Sequence, residues 1–540
     1  MNSILSLVLP FFAASPAPAN APLFGDAPAV QAPARDPLLG GPVKVDGKEI
    51  PELSLKRFLA HSVGWKQSDR DKFEIILTAE LERRQAAGED VSRLRPTKED
   101  IDAKIEKDRV DFLLKYPTLD FATEVGRAYL SLDLYREQAA QAMLFDRVFT
   151  PEDPDQWPPL TREIVTAEGQ GTGLIDDAKE SYEARKQRAL DEGLPEIPPD
   201  DPIWVEYLRG IVIESLLQFS AIETNAEKLP ADVLLTIDGR PVTVEQVYQR
   251  IRPHVTVDLA ADARKFLAIK ALVEADLAKK GVLESRADFE KNFAPEESFQ
   301  DTMMRFQMLA MSVQGFPSME AWVDYTRWFR SFQKTIADDL KDDAKLLTVL
   351  GPCNAITAAA KVNVEVILAS AYDDAHVRWK DNGWAYAEQR AKEIRKELDA
   401  GADWKTTLEN KSEFWDPPMP EIGQKPQFGF NFKGMFGEQT RNQLLTYMRE
   451  SEYRIFLDAS SVTDYIFFKQ RPGSIEGPLK GARGYYISRV TGTTPPTKPL
   501  NMKDPKHREL VETHYSREKF NAYVQDLLAK AIAERRVEGL

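Results

Sequence analysis

The stretch from Arg471 to Val490, RPGSIEGPLKGARGYYISRV, constrains the fold more than any other part of the chain. Proline presets φ for a turn and glycine adopts positive φ without steric cost, so Pro472-Gly473 and the run Gly481 to Gly484 mark two turns. Between and after them lie two short apolar segments. The second ends in Tyr485-Tyr486-Ile487-Ser488-Arg489-Val490, whose side chains alternate with the two-residue period of a strand. The stretch predicts strand, turn, strand.

Upstream, Val362 to Leu368 is rich in β-branched residues and predicts another strand. Trp384 to Ala400 predicts a helix with Ala387, Ala391, Ile394 and Leu398 on one face, ended by Gly401. Gly401-Ala402-Asp403-Trp404, Lys411-Ser412-Glu413 and Phe428-Gly429-Phe430 follow in turn.

Taken in order, these pieces resemble a parvulin-type peptidyl-prolyl isomerase domain, over Val362 to Val490. The chain is similar to the SurA-like and PrsA-like family of extracytoplasmic chaperones that carry such a domain. The resemblance implies an α+β protein: mainly helical chaperone modules carrying a parvulin-like αβ domain with a small sheet and flanking helices. It also implies a peptide-binding groove built from Val366, Glu413, Phe428, Phe430, Phe468 and Tyr486.

The chain departs from the family pattern at its centre. The family's first strand usually reads His-Ile-Leu, where this chain has Val366-Ile367-Leu368; its last strand usually reads Gly-Tyr-His-Ile, where this chain has Gly484-Tyr485-Tyr486-Ile487. Both central histidines are replaced, so the catalytic residues are unassigned. The family's Cys or Asp falls near Glu413 or Phe414. Asn431 to Ile466 is extra sequence in which the Met and Phe of the family's proline pocket have no place, although Phe468 matches a family Phe in form.

Isomerisation must overcome a barrier of ~18–20 kcal/mol that comes from amide resonance, so catalysis requires binding the twisted amide better than either planar form. It demands no nucleophile, metal or cofactor. Tyr486 offers one hydroxyl donor where a histidine is missing.

The remaining chain reads as helical modules. Val43 to Ile50 alternates about Asp46-Gly47, and Leu234 to Val242 repeats the pattern about Asp238-Gly239; a helix follows each, which suggests an internal repeat. Phe73, Ile76, Leu77 and Leu81, and then Ile105, Val110 and Leu113-Leu114, recur at helical spacing and predict packing faces. Leu346 to Ala360 reads as a link, and Arg508 to Arg536 as a long helix buried through Phe520, Tyr523, Val524, Leu527-Leu528 and Ile532. In the family such a helix returns to the N-terminal module. Met303, Met304, Met308 and Met311 form a candidate client surface, since thioethers repack cheaply against varied partners. The expected division is a signal segment 1–19, an Ala/Pro linker 20–41, helical modules 42–230 and 231–360, the parvulin-like domain 361–495 and a C-terminal helix in 496–540.

Lys and Arg number 71 against 86 Asp and Glu, a formal charge of −15 that argues against general affinity for nucleic acid or anionic membrane. Cys353 is the only cysteine and the five histidines are scattered, so neither a disulfide nor a metal site is expected. Ile4 to Ala14 is an uncharged apolar run followed by Ala17-Pro18-Ala19, which reads as a secretory signal. No later run approaches ~20 apolar residues, so no stable membrane insertion is expected once it is removed. The expected function is that of a periplasmic or otherwise extracytoplasmic folding factor for unfolded or proline-containing polypeptides. The alternative is a non-enzymatic envelope adaptor or structural subunit on the same scaffold.

Overall fold

The computed structural model describes residues 35–149, 222–293, 310–414 and 434–540, less short gaps within them, together with positions 187 and 191. The signal run, Met303, Met304, Met308, Phe428 and Phe430 lie outside the described residues. The fold is α+β. It divides into two compact units, one of residues 56–255 with 1–34 and the other of 35–55 with 256–540.

In the first unit, helices Trp65–Ala86, Lys98–Lys115, Phe121–Tyr129 and Leu132–Phe149 pack together, with Leu77, Leu81, Ile105 and Phe145 buried. Val110 and Leu114 are 42% and 79% exposed, against the expectation of a packing face. At 3.6 residues per turn, Val110 stands about 140° around the helix from Ile105, too far to share its face. Strands Ile222–Glu223, Val233–Ile237 and Arg240–Thr243 form an antiparallel sheet, with Gly239 at φ +77° in its hairpin. The helix Val244–Ile251 then starts from a reciprocal cap in which Thr243 Oγ accepts from the Gln246 amide and Gln246 Oε1 from the Thr243 amide.

In the second unit the elements used below are β1 (Lys44–Val45), α1 (Val257–Lys279), α2 (Met319–Thr335), α3 (Asp343–Thr357), β2 (Lys361–Ser370), α4 (Gly383–Asp399), α5 (Trp404–Lys411), β3 (Met435–Gln439), α6 (Arg441–Tyr447), α7 (Glu452–Asp458), α8 (Val462–Phe468), β4 (Ile475–Lys480), β5 (Gly484–Thr494), α9 (Pro505–Ala533) and β6 (Val537–Glu538). The segment read as a link is helix α3 with Pro352 inside it. Leu346, Val349 and Cys353, spaced i, i+3, i+7, bury one stripe against Val511 and Tyr515 of α9, and that packing outweighs the break signalled by Gly351-Pro352.

Helix α9 buries Phe520, Val524 and Leu528, while Ile532 at its end is 49% exposed. Just beyond it, β6 pairs antiparallel with β1, Lys44 opposite Glu538 and Val45 opposite Val537. Arg536 donates from Nε and Nη2 to the two carboxylate oxygens of Asp46, at 2.6 and 3.0 Å. The two ends of the described chain are thus joined by a sheet and a forked ion pair.

The small sheet has the order β4-β5-β2-β3, antiparallel throughout. Val364 and Ile487 lie on adjacent strands, β2 and β5, as the resemblance requires. Alternation along β2 and β5 separates two cores. One face carries Val364, Val366, Leu368, Tyr486 and Val490 against α6 and α8. The other carries Ile367 and Ile487 against α4 and α5.

The extra sequence Asn431 to Ile466 has a structural purpose. Its helix α7 leaves the sheet and inserts Tyr453, Phe456 and Leu457, at i, i+3, i+4, into the helical body. Phe456 stacks on Phe520 of α9 at 6.1 Å and meets Tyr325 of α2 edge-on at 5.1 Å; Tyr453 lies 6.0 Å from Phe266 of α1. Arg454 pairs with Asp262 at 2.8 Å, and Lys265 with Asp458 at 2.7 Å. Each aromatic pair adds ~0.5–1.5 kcal/mol beyond area burial, so α7 is a strong tether between sheet and helices.

Candidate functional site

The two positions where the resembled family carries histidines share one face of the sheet. Val366 lies opposite Ser488, and Tyr486 opposite Leu368, two pairs further along the β2–β5 ladder. Both side chains are enclosed, Val366 at 0% and Tyr486 at 1% exposure. The Tyr486 ring sits 6.1 Å from Phe414, and its hydroxyl donates to the Met448 carbonyl at 3.1 Å. Gly481 covers the ring so closely that a Cβ there would stand 2.5 Å from Tyr486 Cε2. Phe436, Leu444, Met448 and Ile466 fill the space above the sheet. Val366 and Tyr486 are therefore core residues, not walls of an open groove, because α6 and α8 pack over them.

Glu413 belongs to a different place, the end of β2. It accepts from the Ser370 amide at 2.9 Å, from Lys380 Nζ at 2.8 Å and from the Tyr386 hydroxyl. The hydrogen bond to Glu413, with burial, pushes the Tyr386 phenol up to about 12. A carboxylate so fully engaged holds the strand end in place.

Phe468 alone of the expected groove residues in the described parts is open, 37% exposed at the end of α8. It faces a cleft of about 1090 Å³. Leu445 of α6 and the β4–β5 turn at Arg483 line one side, and Ile356 of α3 with Leu510 and Arg517 of α9 line another. At the upper end of, or beyond, the ~300–1,000 Å³ typical of small-ligand pockets, the cleft has room for a short run of polypeptide.

Its walls are set by two polar networks. Arg441 donates from Nε and Nη2 to Asp464 at 2.6 and 3.1 Å and from Nη1 to Glu452 at 3.0 Å. Burial would lower the Arg441 pKa, but the hydrogen bond to Asp464 and the charges of Glu452 and Asp464 outweigh it and keep the guanidinium protonated. Glu450 accepts from the amides of Val462 and Thr463, both at 2.9 Å, and so fixes the start of α8. Cys353 lines the cleft as a buried free thiol, and burial pushes its pKa up. Among the described residues no group of three or more His, Cys, Asp or Glu is arranged to hold a metal ion.

Sequence reasoning missed the cleft because its lining comes from α3, α6, α8, the β4–β5 turn and α9, which no local pattern links. The tether was more accessible, since Tyr453, Phe456 and Leu457 stand at helical spacing within the unassigned segment.

Strand order and element sequence define an α+β protein with a four-stranded antiparallel sheet joined to a helical body. No known family profile matches the chain, and no curated protein does. Among solved structures it is similar to the peptidyl-prolyl isomerase PrsA of Bacillus cereus, at 17% identity and TM-score 0.21, covering 56% of this chain and 92% of that one. PrsA of Bacillus anthracis matches at 15% and 0.23, covering 49% and 95%, and PrsA of Bacillus subtilis at 16% and 0.15, covering 55% and 90%. None of these TM-scores reaches the range in which whole folds superpose.

Proposed function

We propose that the protein is an extracytoplasmic folding factor that holds unfolded polypeptide in its cleft and does not isomerise X-Pro bonds. The observation that carries this reading is the enclosure of Val366 and Tyr486. A prolyl isomerase must admit a proline and its twisted amide beside groups that prefer the transition state, and here that face of the sheet is filled by α6, α8 and Gly481. The open cleft beside Phe468 gives a polypeptide somewhere else to lie. Work outside the cytoplasm is supported by the apolar run Ile4 to Ala14 with Ala17-Pro18-Ala19. No helix among the described residues is long and apolar enough to cross a membrane.

The test is a protease-coupled proline assay run beside an aggregation assay on an unfolded client, with the full chain in both. The expected result is a proline rate equal to the solvent control and a delayed onset of client aggregation. A rate above the control would restore the isomerase reading. No delay would favour the adaptor reading instead.

A further inference from the structure

We infer that α7 couples occupancy of the cleft to the joining of sheet and helices, so that a bound polypeptide locks the tether in place; this rests on the polypeptide-holding reading above. Helix α7 is two-sided. Tyr453, Phe456 and Leu457 are buried in the helical body, whereas Glu452, Arg454 and Ile455, with Ser451 just before them, line the cleft. About two turns of helix thus serve as an anchor on one side and as a wall of the cleft on the other.

The anchor is fastened to an element that forms another wall. Phe456 stacks on Phe520 of α9, and Gln525 Nε2 of the same helix donates to the carbonyls of Phe456 and Leu457 at 2.7 and 3.2 Å. Leu510 and Thr513, nearer the start of α9, line the cleft. The seam also reaches the cleft directly. The Tyr453 amide donates to the Gln314 carbonyl at 3.3 Å, and a Cβ on Gly315 would stand 2.3 Å from Ser451 Cβ. Gln314, Gly315 and Ser451 all line the cleft, so the joint between α7 and the helical body is part of the site.

Release of α7 from the helices would take one wall of the cleft away from the walls that α3 and α9 supply. A polypeptide that buries apolar side chains against both Ile455 of α7 and Leu510 of α9 loses part of that burial when α7 is released. It therefore binds the docked form more tightly than the released one. Whatever prefers one of two states stabilises that state, and the effect is reciprocal: docking of α7 must strengthen binding by the same factor.

Hydrogen exchange on the full chain tests this, with a soluble peptide that alternates Phe and Asn as the probe and its dissociation constant measured by fluorescence anisotropy. With the peptide at about ten times that constant, the amides of Phe456 and Leu457 on the anchoring side of α7 should exchange roughly tenfold more slowly. Amides in the middle of α1, from Phe266 to Val273, should slow by less. Phe456→Ala and Gln525→Leu alter residues that do not line the cleft. Each should quicken exchange in α7 and weaken the peptide with it, because only the docked fraction binds fully; the two are measured separately so that one misfolded variant does not decide the outcome. Peptide binding with unchanged exchange at Phe456 and Leu457 would overturn the coupling and leave the polypeptide-holding reading standing. So would equal slowing of α1 and α7, or undiminished affinity in a variant whose α7 exchanges faster. Failure of the peptide to bind the natural chain would overturn both.

Discussion

The Tyr486 hydroxyl donates to the main-chain carbonyl of Met448 across 3.1 Å, joining the first part of β5 to the turn that ends α6. With that bond made, a position that the resembled family gives to a histidine becomes part of the packing that closes the sheet's face. The hydroxyl donor is used inside the protein.

Tyr486→Phe removes the donor and leaves a buried carbonyl without this partner. The expected cost is about 1–3 kcal/mol in urea unfolding, with the proline-isomerisation rate of the variant equal to that of the unsubstituted chain. A faster or slower proline rate in the variant would place Tyr486 at an active site.

Gly481→Ala tests how tightly that face is closed. The added carbon would meet Tyr486 Cε2 at 2.5 Å and Val462 Cγ2 at 2.9 Å, and neither side chain has room to retreat. Overpacking of this kind costs about 1–3 kcal/mol, read as a lower urea midpoint with an unchanged slope.

Phe456→Ala strikes the tether. Its ring contacts Tyr325, Phe266 and Phe520, so truncation should cost about 3–5 kcal/mol. Residues 434–494 should then become cleavable by protease before the helices α1 and α2 do. Simultaneous cleavage of all of them would show that α7 does not couple the two parts.

The clasp between the chain ends should respond to acid. The hydrogen bond from Arg536 holds the Asp46 carboxyl below its ordinary 3.8, against a smaller opposing effect of burial. A carboxyl depressed in the folded state contributes stability above its unfolded pKa and loses it as pH falls through the folded value. Both partners are more than a third exposed, so solvent screening limits the effect to about 0.2–1 kcal/mol. Hydrogen exchange at Asp46 and Val537 should quicken below pH 3.8 in the natural chain, and Asp46→Asn should abolish that pH dependence.

Much of the sheet was legible in the sequence. Gly473 at φ +87° and Gly484 at +158° lie in backbone regions that side-chain-bearing residues rarely enter, and the alternation from Tyr485 to Val490 marks which residues face each core. The helix face of Ala387, Ala391, Ile394 and Leu398 is buried as its spacing predicts. That the stretch read as a link is helical was not legible, because Gly351-Pro352 is a strong local signal and the burial of Leu346, Val349 and Cys353 against α9 is a distant one.

By itself the sequence determined the local periods and turns, and with them the strands, the main helices and the replacement of two histidines by Val366 and Tyr486. Whether those two positions faced a substrate or a core was decided only in three dimensions, by the packing of α6, α8 and Gly481 over one face of the sheet. The same holds for the cleft, whose cations and apolar walls come from elements far apart along the chain. Periodicity reports which side of an element is apolar; only packing decides what covers it.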